Sequence, residues 1–317
     1  MSTVLVTGGA GFIGSHVVDL LLQLGHRVLV LDDFSTGKAS NLPSAHDRLR
    51  VVEGDVADPL ALRPALKDWD AVERIVHLAA QTSVVHSIEH PQFDLRVNAR
   101  GTVNVMEYAR ESGTRKVVFA SSAAVYGDVS EVPVSESAAT VPLSPYGVDK
   151  LASEHYLRYY AIVHGIETTP LRFFNVYGAR QDPTSPYSGV ISIFLDRAST
   201  GRTIRVFGDG AQTRDFVHVS DVAHAVVAAT FGGPADGRPL NIGTGRATSV
   251  LALAQTVRAL AGRGTVKIEH AEPRGGEIVH SVAAVGQALD ELGFAARVPV
   301  DAGLGKTADW FLTTQRA

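Results

Sequence analysis

The chain contains no cysteine, which excludes disulfide bonds, thiol nucleophiles and zinc–thiolate sites. It has no excess of positive charge either, because 29 Lys and Arg residues stand against 33 Asp and Glu residues and give a formal net charge of -4. This balance leaves no basic patch of the kind that binds nucleic acid. No apolar run reaches the roughly 18 residues of a membrane-spanning helix, and no leader-like segment precedes Val4. We therefore expect a cytoplasmic protein without a nucleic-acid or membrane partner.

The residues that are present have the composition of a globular protein, with 45% hydrophobic and 20% charged residues. A length of 317 residues is enough for one large domain or for two of ordinary size. Twelve histidines could suggest a metal, but no histidine pair has metal-ligand spacing on one predicted element. We therefore expect no metal site.

Short β-branched segments alternate with helical patterns through the first half of the chain. The predicted strands are Thr3–Thr7, Arg27–Leu31, Leu49–Glu53, Arg74–Leu78, Lys116–Ser121 and Glu167–Phe173, and the predicted helices between the first five are Phe12–Leu24, Pro59–Lys67 and Phe93–Glu111. This alternation is typical of an α/β Rossmann fold, a doubly wound parallel sheet with helices on both faces. We predict a dinucleotide-binding domain over residues 1–174 and a smaller C-terminal α/β substrate-binding lobe over residues 175–317, with a soft boundary that the chain crosses more than once.

A glycine-rich segment follows the first predicted strand and opens the first predicted helix, reading Thr7-Gly8-Gly9-Ala10-Gly11-Phe12-Ile13-Gly14. Its glycines permit a tight turn, close approach of the backbone to a pyrophosphate at the helix N-terminus, and close packing of helix on strand. The second strand is followed by Asp32-Asp33, and a carboxylate there binds both hydroxyls of an adenosine ribose and repels a 2′-phosphate. The sequence therefore predicts NAD rather than NADP. The residues that this pattern and the following strand ends place at the cofactor are Gly8, Gly11, Phe12, Ile13, Gly14, Asp32, Asp33, Asp55, Val56, Leu78, Ala79 and Ala80.

A phenol and an ammonium group are expected on one helix face at Tyr146 and Lys150, because Ser144 and Pro145 form a helix-start signal before an apolar-periodic run. A nearby cation favours the phenolate and moves the pKa of a tyrosine towards neutral pH. The pair is a candidate proton-transfer device. The alternative is an ordinary amphipathic helix surface, and the pattern by itself leaves both interpretations open.

Several motifs occur in a fixed order along the chain. They are the glycine turn, Asp32, Asn98-Ala99-Arg100-Gly101-Thr102, Ser121-Ser122-Ala123-Ala124-Val125-Tyr126-Gly127 and the Tyr146/Lys150 pair. In this order they resemble the extended short-chain dehydrogenases/reductases, from Val4 to beyond Asp221, and within them the UDP-galactose (UDP-hexose) 4-epimerases. The resemblance implies that Ser122 is the catalytic hydroxyl, that Tyr146 is the acid/base, and that Lys150 holds the nicotinamide ribose and lowers the tyrosine pKa. It also implies cofactor contacts from Asn98, Tyr146, Lys150 and Phe173.

The same resemblance implies a UDP-sugar as substrate, bound mainly by the C-terminal lobe. The residues that it places there are Thr82, Ser122, Asn175, Val190, Val206, Phe207, Arg214, Arg274, Glu277 and Ser281. Two guanidinium groups can clamp a diphosphate bidentately, and a carboxylate suits ribose hydroxyls. Arg214 could instead form a surface ion pair with Asp215, and Arg274 could be a solvated loop residue.

The residues after Ser122 bear on the reaction. Related 4,6-dehydratases carry an Asp-Glu pair directly after the catalytic hydroxyl residue, and glucuronate decarboxylases carry a Glu two places after it, whereas this chain has Ala123 and Ala124. We therefore expect an isomerase, an NAD-dependent UDP-hexose 4-epimerase that works through a transient 4-keto sugar and, like its relatives, as a homodimer. A catalytically silent nucleotide sensor, or a net oxidation with exchange of NAD, remains an alternative.

Substrate choice depends on Ser281, which falls where the epimerases place a residue beside the sugar 2-substituent. A small side chain there leaves space for an N-acetyl group, so UDP-GlcNAc and UDP-GalNAc are expected as substrates beside UDP-Glc and UDP-Gal. UDP-glucuronate is the runner-up, because Thr82, Ser83 and His86 could face a C6 carboxylate.

Overall fold

A parallel sheet of seven strands forms the centre of the molecule, and its two faces are covered by helices. The structure is a computed structural model that describes residues 1–60, 71–182, 189–260, 266–273 and 278–314. Within these ranges the strands are β1 (Thr3–Thr7), β2 (Arg27–Asp32), β3 (Leu49–Glu53), β4 (Arg74–His77), β5 (Lys116–Ser122), β6 (Glu167–Phe173), β7 (Asn175–Tyr177), β8 (Ile204–Phe207), β9 (Thr213–Arg214), β10 (Phe216–His218), β11 (Leu240–Ile242), β12 (Thr248–Ser249), β13 (Ile268–Ala271) and β14 (His280–Ser281).

The strand order of the large sheet is β11-β6-β5-β4-β1-β2-β3, and every pair in it is parallel. This confirms the predicted Rossmann fold class. The order reverses between β1 and β4, and ligands of open parallel sheets bind in the crevice at the carboxyl ends of the strands at such a switch point. The glycine turn follows β1 and Ser122 ends β5, so both lie at this edge.

The helices of the described residues are α1 (Phe12–Gln23), α2 (Val84–Glu89), α3 (Pro91–Leu95), α4 (Gly101–Ser112), α5 (Pro145–His164), α6 (Val190–Ser199), α7 (Val219–Phe231), α8 (Val250–Leu260), α9 (Gly286–Leu292) and α10 (Val300–Thr314). The predicted helix Pro59–Lys67 lies mostly outside the described residues. None of the helices in the described part of the chain is long and apolar enough to span a membrane.

The predicted helix Phe93–Glu111 lies within a continuous helical segment from Pro91 to Ser112. This segment consists of α3, a π-helical turn over Arg96–Arg100 that was not predicted, and α4. The turn contains Asn98, whose side chain is buried and hydrogen bonded to another segment. Single π-turns inside helices are common at functional sites, and periodicity alone does not reveal them.

The core lies on both faces of the large sheet, because its strands are apolar at consecutive positions. All five residues of β1 are buried. One face packs against α1 and α7 and the other against α4 and α5. A further cluster, formed by α6, α8 and α10 with β8 and β10, makes the core of the C-terminal half. Each fully buried Val or Leu contributes about 1.5–3 kcal/mol, so these clusters hold the strand ends of the site in place.

Candidate active site

The glycine turn after β1 gives α1 an open N-terminus. Gly8 has a φ of +70°, and a Cβ at this position would lie 2.7 Å from Ala79 N. A Cβ at Gly14 would lie 2.0 Å from the carbonyl oxygen of Gly8, so the helix packs directly against the turn that follows β1. Gly11 precedes α1 without any side-chain cap for the first N–H groups. Uncapped N–H groups and the positive end of the helix dipole suit a pyrophosphate.

Asp32 anchors the other half of this turn. Its carboxylate accepts hydrogen bonds from Ala10 N at 2.8 Å and from Phe34 N at 2.9 Å. Burial raises the pKa of Asp32 above its ordinary value, and the two N–H donors oppose part of this rise. The carboxylate therefore lies beside the glycine turn, as a contact with an adenosine ribose requires, and the residues of this region fit a dinucleotide.

The segment after β4, residues 78–83, lies next to the glycine turn and is held in place by Asn98. The Asn98 Oδ1 atom accepts from Gln81 N at 2.9 Å, and Asn98 Nδ2 donates to Gln81 O at 2.9 Å. Two reciprocal bonds hold the backbone that follows Ala79 and Ala80. Asn98 thus positions the strand end predicted to line the cofactor site.

His77 lies beneath this segment and was not identified from the sequence. Its Nδ1 is 2.7 Å from Thr7 Oγ1, and its Nε2 is 3.2 Å from Thr102 Oγ1. Burial and the positive charge of Lys150 lower the pKa of His77 to about 3, so the ring is neutral at neutral pH. The ring therefore connects β1, β4 and α4 as a neutral hydrogen-bonding group.

The catalytic helix α5 begins as the sequence predicts. Ser144 caps it, since its Oγ accepts from Gly147 N at 3.2 Å, and Pro145 occupies the first helical position. A Cβ at Gly147 would lie 2.7 Å from the carbonyl oxygen of Ala124, so the helix start touches the turn that follows Ser122. This contact, which the motif order did not reveal, brings Tyr146 to Ser122.

Tyr146, Ser122 and Lys150 are brought together at the carboxyl end of β5. The Ser122 hydroxyl lies close enough to the Tyr146 phenol to lower the pKa of the phenol. Lys150 Nζ donates to Ala120 O at 2.8 Å and lies 4.7 Å from the ring centroid of Phe119. The distance from Lys150 Nζ to the centroid of the Tyr146 ring is 5.8 Å.

The pKa of Tyr146 differs from the sequence-based expectation. The ammonium of Lys150 was expected to lower it, but burial raises the pKa of Tyr146 to about 12. Lys150 does not offset this rise, because its Nζ donates to the Ala120 carbonyl and burial lowers the pKa of Lys150 itself to about 8. The phenol is therefore protonated at neutral pH, and the nearby Ser122 hydroxyl favours its ionised form.

A cavity of about 210 Å³ opens beside Ser122. Its lining includes three further residues predicted for the substrate, Asn175, Arg214 and Ser281, and also Phe173, which was predicted for the cofactor. Arg214 Nη1 donates to the backbone carbonyls of Thr213 at 2.9 Å and Val279 at 3.4 Å.

Asp215 is not a surface partner of Arg214, because it is fully buried. Its carboxylate accepts hydrogen bonds from the backbone N–H groups of Thr244, Gly245 and Ala283. Asp215 therefore ties together three segments behind the cavity wall.

The other predicted site residues lie elsewhere. Val206 is fully buried in the C-terminal core, while Val190 and Phe207 are half-buried and Thr82 is exposed. None of these four is among the described residues that line the cavity. Asp33, Asp55 and Val56 follow β2 and β3. Arg274 and Glu277 lie outside the described residues, so their predicted roles stay predictions.

The chain matches the sequence model of the NAD dependent epimerase/dehydratase family over residues 4–243. The chain belongs to this family. Membership of an NAD-dependent family of enzymes confirms the predicted cofactor, and it agrees with the uncapped helix N-terminus and the buried carboxylate of Asp32.

Relatives of this epimerase/dehydratase-family protein cover its whole length. The UDP-glucose 4-epimerase of Mycolicibacterium smegmatis is 42% identical over 311 residues, 97% of each chain. The crystal structure of a UDP-glucose 4-epimerase with UDP-glucose from Thermotoga maritima superposes with a TM-score of 0.93 at 36% identity and covers 99% of both chains. A UDP-N-acetylglucosamine 4-epimerase from Methanobrevibacter ruminantium M1, in complex with UDP-N-acetylmuramic acid, has a TM-score of 0.92 at 32% identity and also covers 99% of both chains.

Proposed function

We propose that this protein is a UDP-sugar 4-epimerase, an isomerase that inverts C4 of a UDP-hexose with the help of NAD. One observation carries the proposal. The Ser122 hydroxyl lies close enough to the Tyr146 phenol to lower its pKa, and Ser122 lines a cavity together with Ala123 and Ala124, which supply no acid or base. Full-length similarity to UDP-glucose 4-epimerases supports the same assignment.

The proposed reaction is a reversible oxidation at C4 of the sugar. When NAD is bound, its oxidised nicotinamide ring supplies the acceptor for the C4 hydrogen and a positive charge that favours the phenolate. Tyr146 then removes the proton of the 4-hydroxyl, with Ser122 as its hydrogen-bonding partner. The resulting 4-keto sugar turns over in the cavity and is reduced on its opposite face, while Tyr146 returns the proton.

Arg214 has a separate task in this proposal. Its guanidinium lines the cavity and is held by two backbone carbonyls, so it can bind the diphosphate of the substrate without taking part in the chemistry. A fixed diphosphate leaves the sugar free to rotate. Arg274 and Glu277 are proposed to complete the UDP site.

Ser281 supports a broader substrate range. It is a small, half-buried residue of the cavity wall, and its backbone pairs in register with Arg214. We propose that the space beside it accepts an N-acetyl group, so that UDP-GlcNAc and UDP-GalNAc are turned over as well as UDP-Glc and UDP-Gal. The similarity to a UDP-N-acetylglucosamine 4-epimerase agrees with this.

UDP-glucuronate gains less support from the geometry. The residues suggested for its carboxylate were Thr82, Ser83 and His86, and none of them is among the described residues of the cavity wall. Ser83 instead caps α2, because its Oγ accepts from His86 N at 3.0 Å.

The test is incubation of the NAD-loaded protein with UDP-Glc, UDP-GlcNAc and UDP-GlcA in separate samples, with products identified from the anomeric protons by NMR. We expect the galacto epimers of the first two, with no net change in nicotinamide absorbance. Tyr146→Phe is the control, since it should lose a factor of about 10²–10⁴ in kcat while it still binds UDP-sugar. The proposal fails if C4 of every UDP-sugar stays unchanged.

We also propose that the enzyme is a homodimer that pairs through one face of α5. Five large side chains on this face are exposed, and we refer to them as the α5 apolar face: Val148, Tyr156, Tyr159, Ile162 and Val163. Their successive spacings of eight, three, three and one residues keep them within about a third of the helix circumference, on one side of the helix. Exposed apolar stripes of this size are typical of protein–protein contacts. The cytoplasmic location expected from the sequence stays a prediction.

A further inference from the structure

Two carboxyl groups are buried against each other beside the catalytic pair. Asp94, in α3, has no exposed surface, and Asp149, in α5, is 5% exposed. Helices α3 and α5 pack against each other, and the Asp94 carboxyl group lies close enough to Asp149 to raise the pKa of that residue. Neither Asp94 Oδ2 nor Asp149 Oδ2 receives a hydrogen bond from an N–H or O–H group of the described residues.

A single proton shared by the two carboxyl groups would remove their repulsion and supply the missing hydrogen bond. Two ionised carboxylates in contact repel each other, and each buried oxygen without a donor costs free energy. If one carboxyl group is protonated, it donates to the other, and both orphaned oxygens gain a partner. The pair then keeps one negative charge, which the ammonium of Lys150 partly balances.

Asp94 is fixed to the segment that borders the cofactor site. Gln81 Nε2 donates to Asp94 Oδ1 and, at 2.9 Å, to the carbonyl oxygen of Ser83. The backbone of Gln81 is itself held by the two hydrogen bonds with Asn98. The carboxyl group of Asp94 therefore moves with the segment after β4.

Asp149 is fixed to the catalytic helix. It directly precedes Lys150 and lies one helical turn after Tyr146. The charge of Asp94 raises the pKa of both Tyr146 and Lys150, so the pair lies close enough to act on the catalytic groups. Neither Asp94 nor Asp149 is among the described residues that line the substrate cavity.

We propose that Asp94 and Asp149 share one proton, and that this hydrogen bond positions Tyr146 and Lys150 against the segment after β4. Both are positioning residues, because they act on the reaction through α5. This inference rests on the proposed 4-epimerase function for its kinetic part, whereas the shared proton itself does not depend on the reaction.

The proposal makes the pair sensitive to pH. Burial and the neighbouring Asp94 carboxyl raise the pKa of Asp149 to about 7, and Lys150 opposes this rise. Lys150 also faces Glu154 on the same helix and His77 on β4. Helix α2, which carries His86 and is followed by His90, packs against α5. Loss of the shared proton places two negative charges together, which raises the proton affinity of Tyr146 further and separates α5 from the segment after β4.

The test compares the wild-type enzyme with Asp149→Asn, which keeps a permanent hydrogen-bond donor to Asp94 but cannot lose a proton. Because the folded-state pKa of Asp149 is higher than its unfolded value, its protonation stabilises the fold at low pH, and this stabilisation is lost as pH rises through about 7. We expect the wild-type Tm to fall relative to that of Asp149→Asn between about pH 5.5 and about pH 8.5.

The kinetic arm uses the same pH range with UDP-Glc as substrate. The ratio of kcat for Asp149→Asn to kcat for the wild type should rise by about three- to tenfold from the acidic to the alkaline end, with KM changed by less than about twofold. Asp94→Asn should behave alike, since its amide can accept from Gln81 and donate to Asp149. Asp149→Ala, which removes the bond, should lower kcat at every pH without the same change in KM. Glu269→Gln removes an exposed carboxylate from the C-terminal half and should follow the wild type.

The proposal is overturned if Tm and kcat change with pH in the same way in the wild type and in both Asn variants. If no UDP-sugar is turned over, the proposed function fails, and the Tm series still supports or refutes the shared proton. A Tm effect without a change in the kcat ratio would refute the positioning role.

Discussion

The glycine beside the catalytic tyrosine is required by a close approach of two backbone segments. Gly147 lies in the first turn of α5, where a Cβ would come within 2.7 Å of the Ala124 carbonyl oxygen and 2.9 Å of Pro142 Cβ. Gly147→Ala should push the start of α5 away from the turn after Ser122. A misplacement of about 1 Å can cost about 100-fold in rate, so we expect kcat to fall by ten- to about 100-fold, with a loss of about 1–3 kcal/mol in the free energy of unfolding.

The measurements are kcat, KM and unfolding by urea. Gly305→Ala is the matched control, because Gly305 lies inside α10, where a Cβ would meet nothing within 4 Å. That change should leave kcat alone and stabilise the fold by about 0.5–1 kcal/mol. Wild-type kcat in Gly147→Ala would show that the contact with Ala124 does not position Tyr146.

The side chain at position 281 should decide the substrate range. Ser281 lines the cavity of about 210 Å³ beside Ser122, and a tyrosine there would fill space that an N-acetyl group needs. We expect Ser281→Tyr to lower kcat/KM for UDP-GlcNAc by about 100-fold and for UDP-Glc by less than about tenfold. Ser281→Ala keeps the space and should turn over both sugars. Equal losses for the two substrates in Ser281→Tyr would contradict the role of Ser281 in specificity.

At the scale of secondary structure, a buried ion pair fastens the catalytic helix to the sheet. Glu154 of α5 receives hydrogen bonds from Arg172 of β6, at 2.7 Å from Nη2 and at 2.9 Å from Nε. Both residues are buried, and the guanidinium also lies 4.7 Å from the centroid of the Tyr126 ring. Because Lys150 precedes Glu154 by one turn, the pair holds the part of α5 that carries the reaction.

Removal of one partner should be costly, because the other charge stays buried. We expect Glu154→Gln to lower the free energy of unfolding by about 3–5 kcal/mol, measured by denaturant titration. Asp236→Asn is the control, since Asp236 pairs with Arg238 at 2.8 Å on the exposed surface and the change should cost at most about 1 kcal/mol. Similar losses in the two variants would mean that burial of the pair does not matter.

The inner strands of the large sheet were predictable from the sequence because both of their faces are buried and they read as continuous apolar runs. Strands β1 and β6 have the predicted bounds, β2 and β5 are each one residue longer than predicted, and β4 is one residue shorter. The edge strand β3 also has the predicted bounds, although it is only partly buried. The helix predicted over Phe93–Glu111 was found as well, and it begins two residues earlier, at Pro91. Its π-helical turn over Arg96–Arg100 was not predicted, because periodicity alone does not reveal such a turn.

The candidate site, like the fold, was predictable from the sequence only in part. The order of the motifs predicted which residues approach the sheet edge, and the structure brings Ser122, Tyr146 and Lys150 together there. The pKa of Tyr146 was not predictable, because it depends on burial and on the direction in which Lys150 Nζ points. The Asp94–Asp149 contact was missed as well, since the two residues lie on different elements.

At the scale of the whole molecule, the C-terminal half completes the site that the first half begins. Strand β11 joins the large sheet beside β6, and β14 pairs with β9 to place Ser281 beside Arg214. The cavity wall therefore combines Ser122 at the end of β5 with side chains that follow in sequence by more than fifty residues. A site built in this way needs both halves folded together.

The α5 apolar face should make the molecule a dimer of twice 33.6 kDa. Ile162 is 70% exposed and Val163 is 57% exposed, and a two-fold axis lets the same face of two copies cover each other. Light scattering after size exclusion should give the dimer mass for the wild type. Ile162→Glu should give the monomer, because it would place two carboxylates in an apolar contact. Leu289→Glu, on the exposed surface of α9, is the control and should stay dimeric. A monomeric wild type would refute the proposal. A dimeric Ile162→Glu would show that the subunits meet elsewhere.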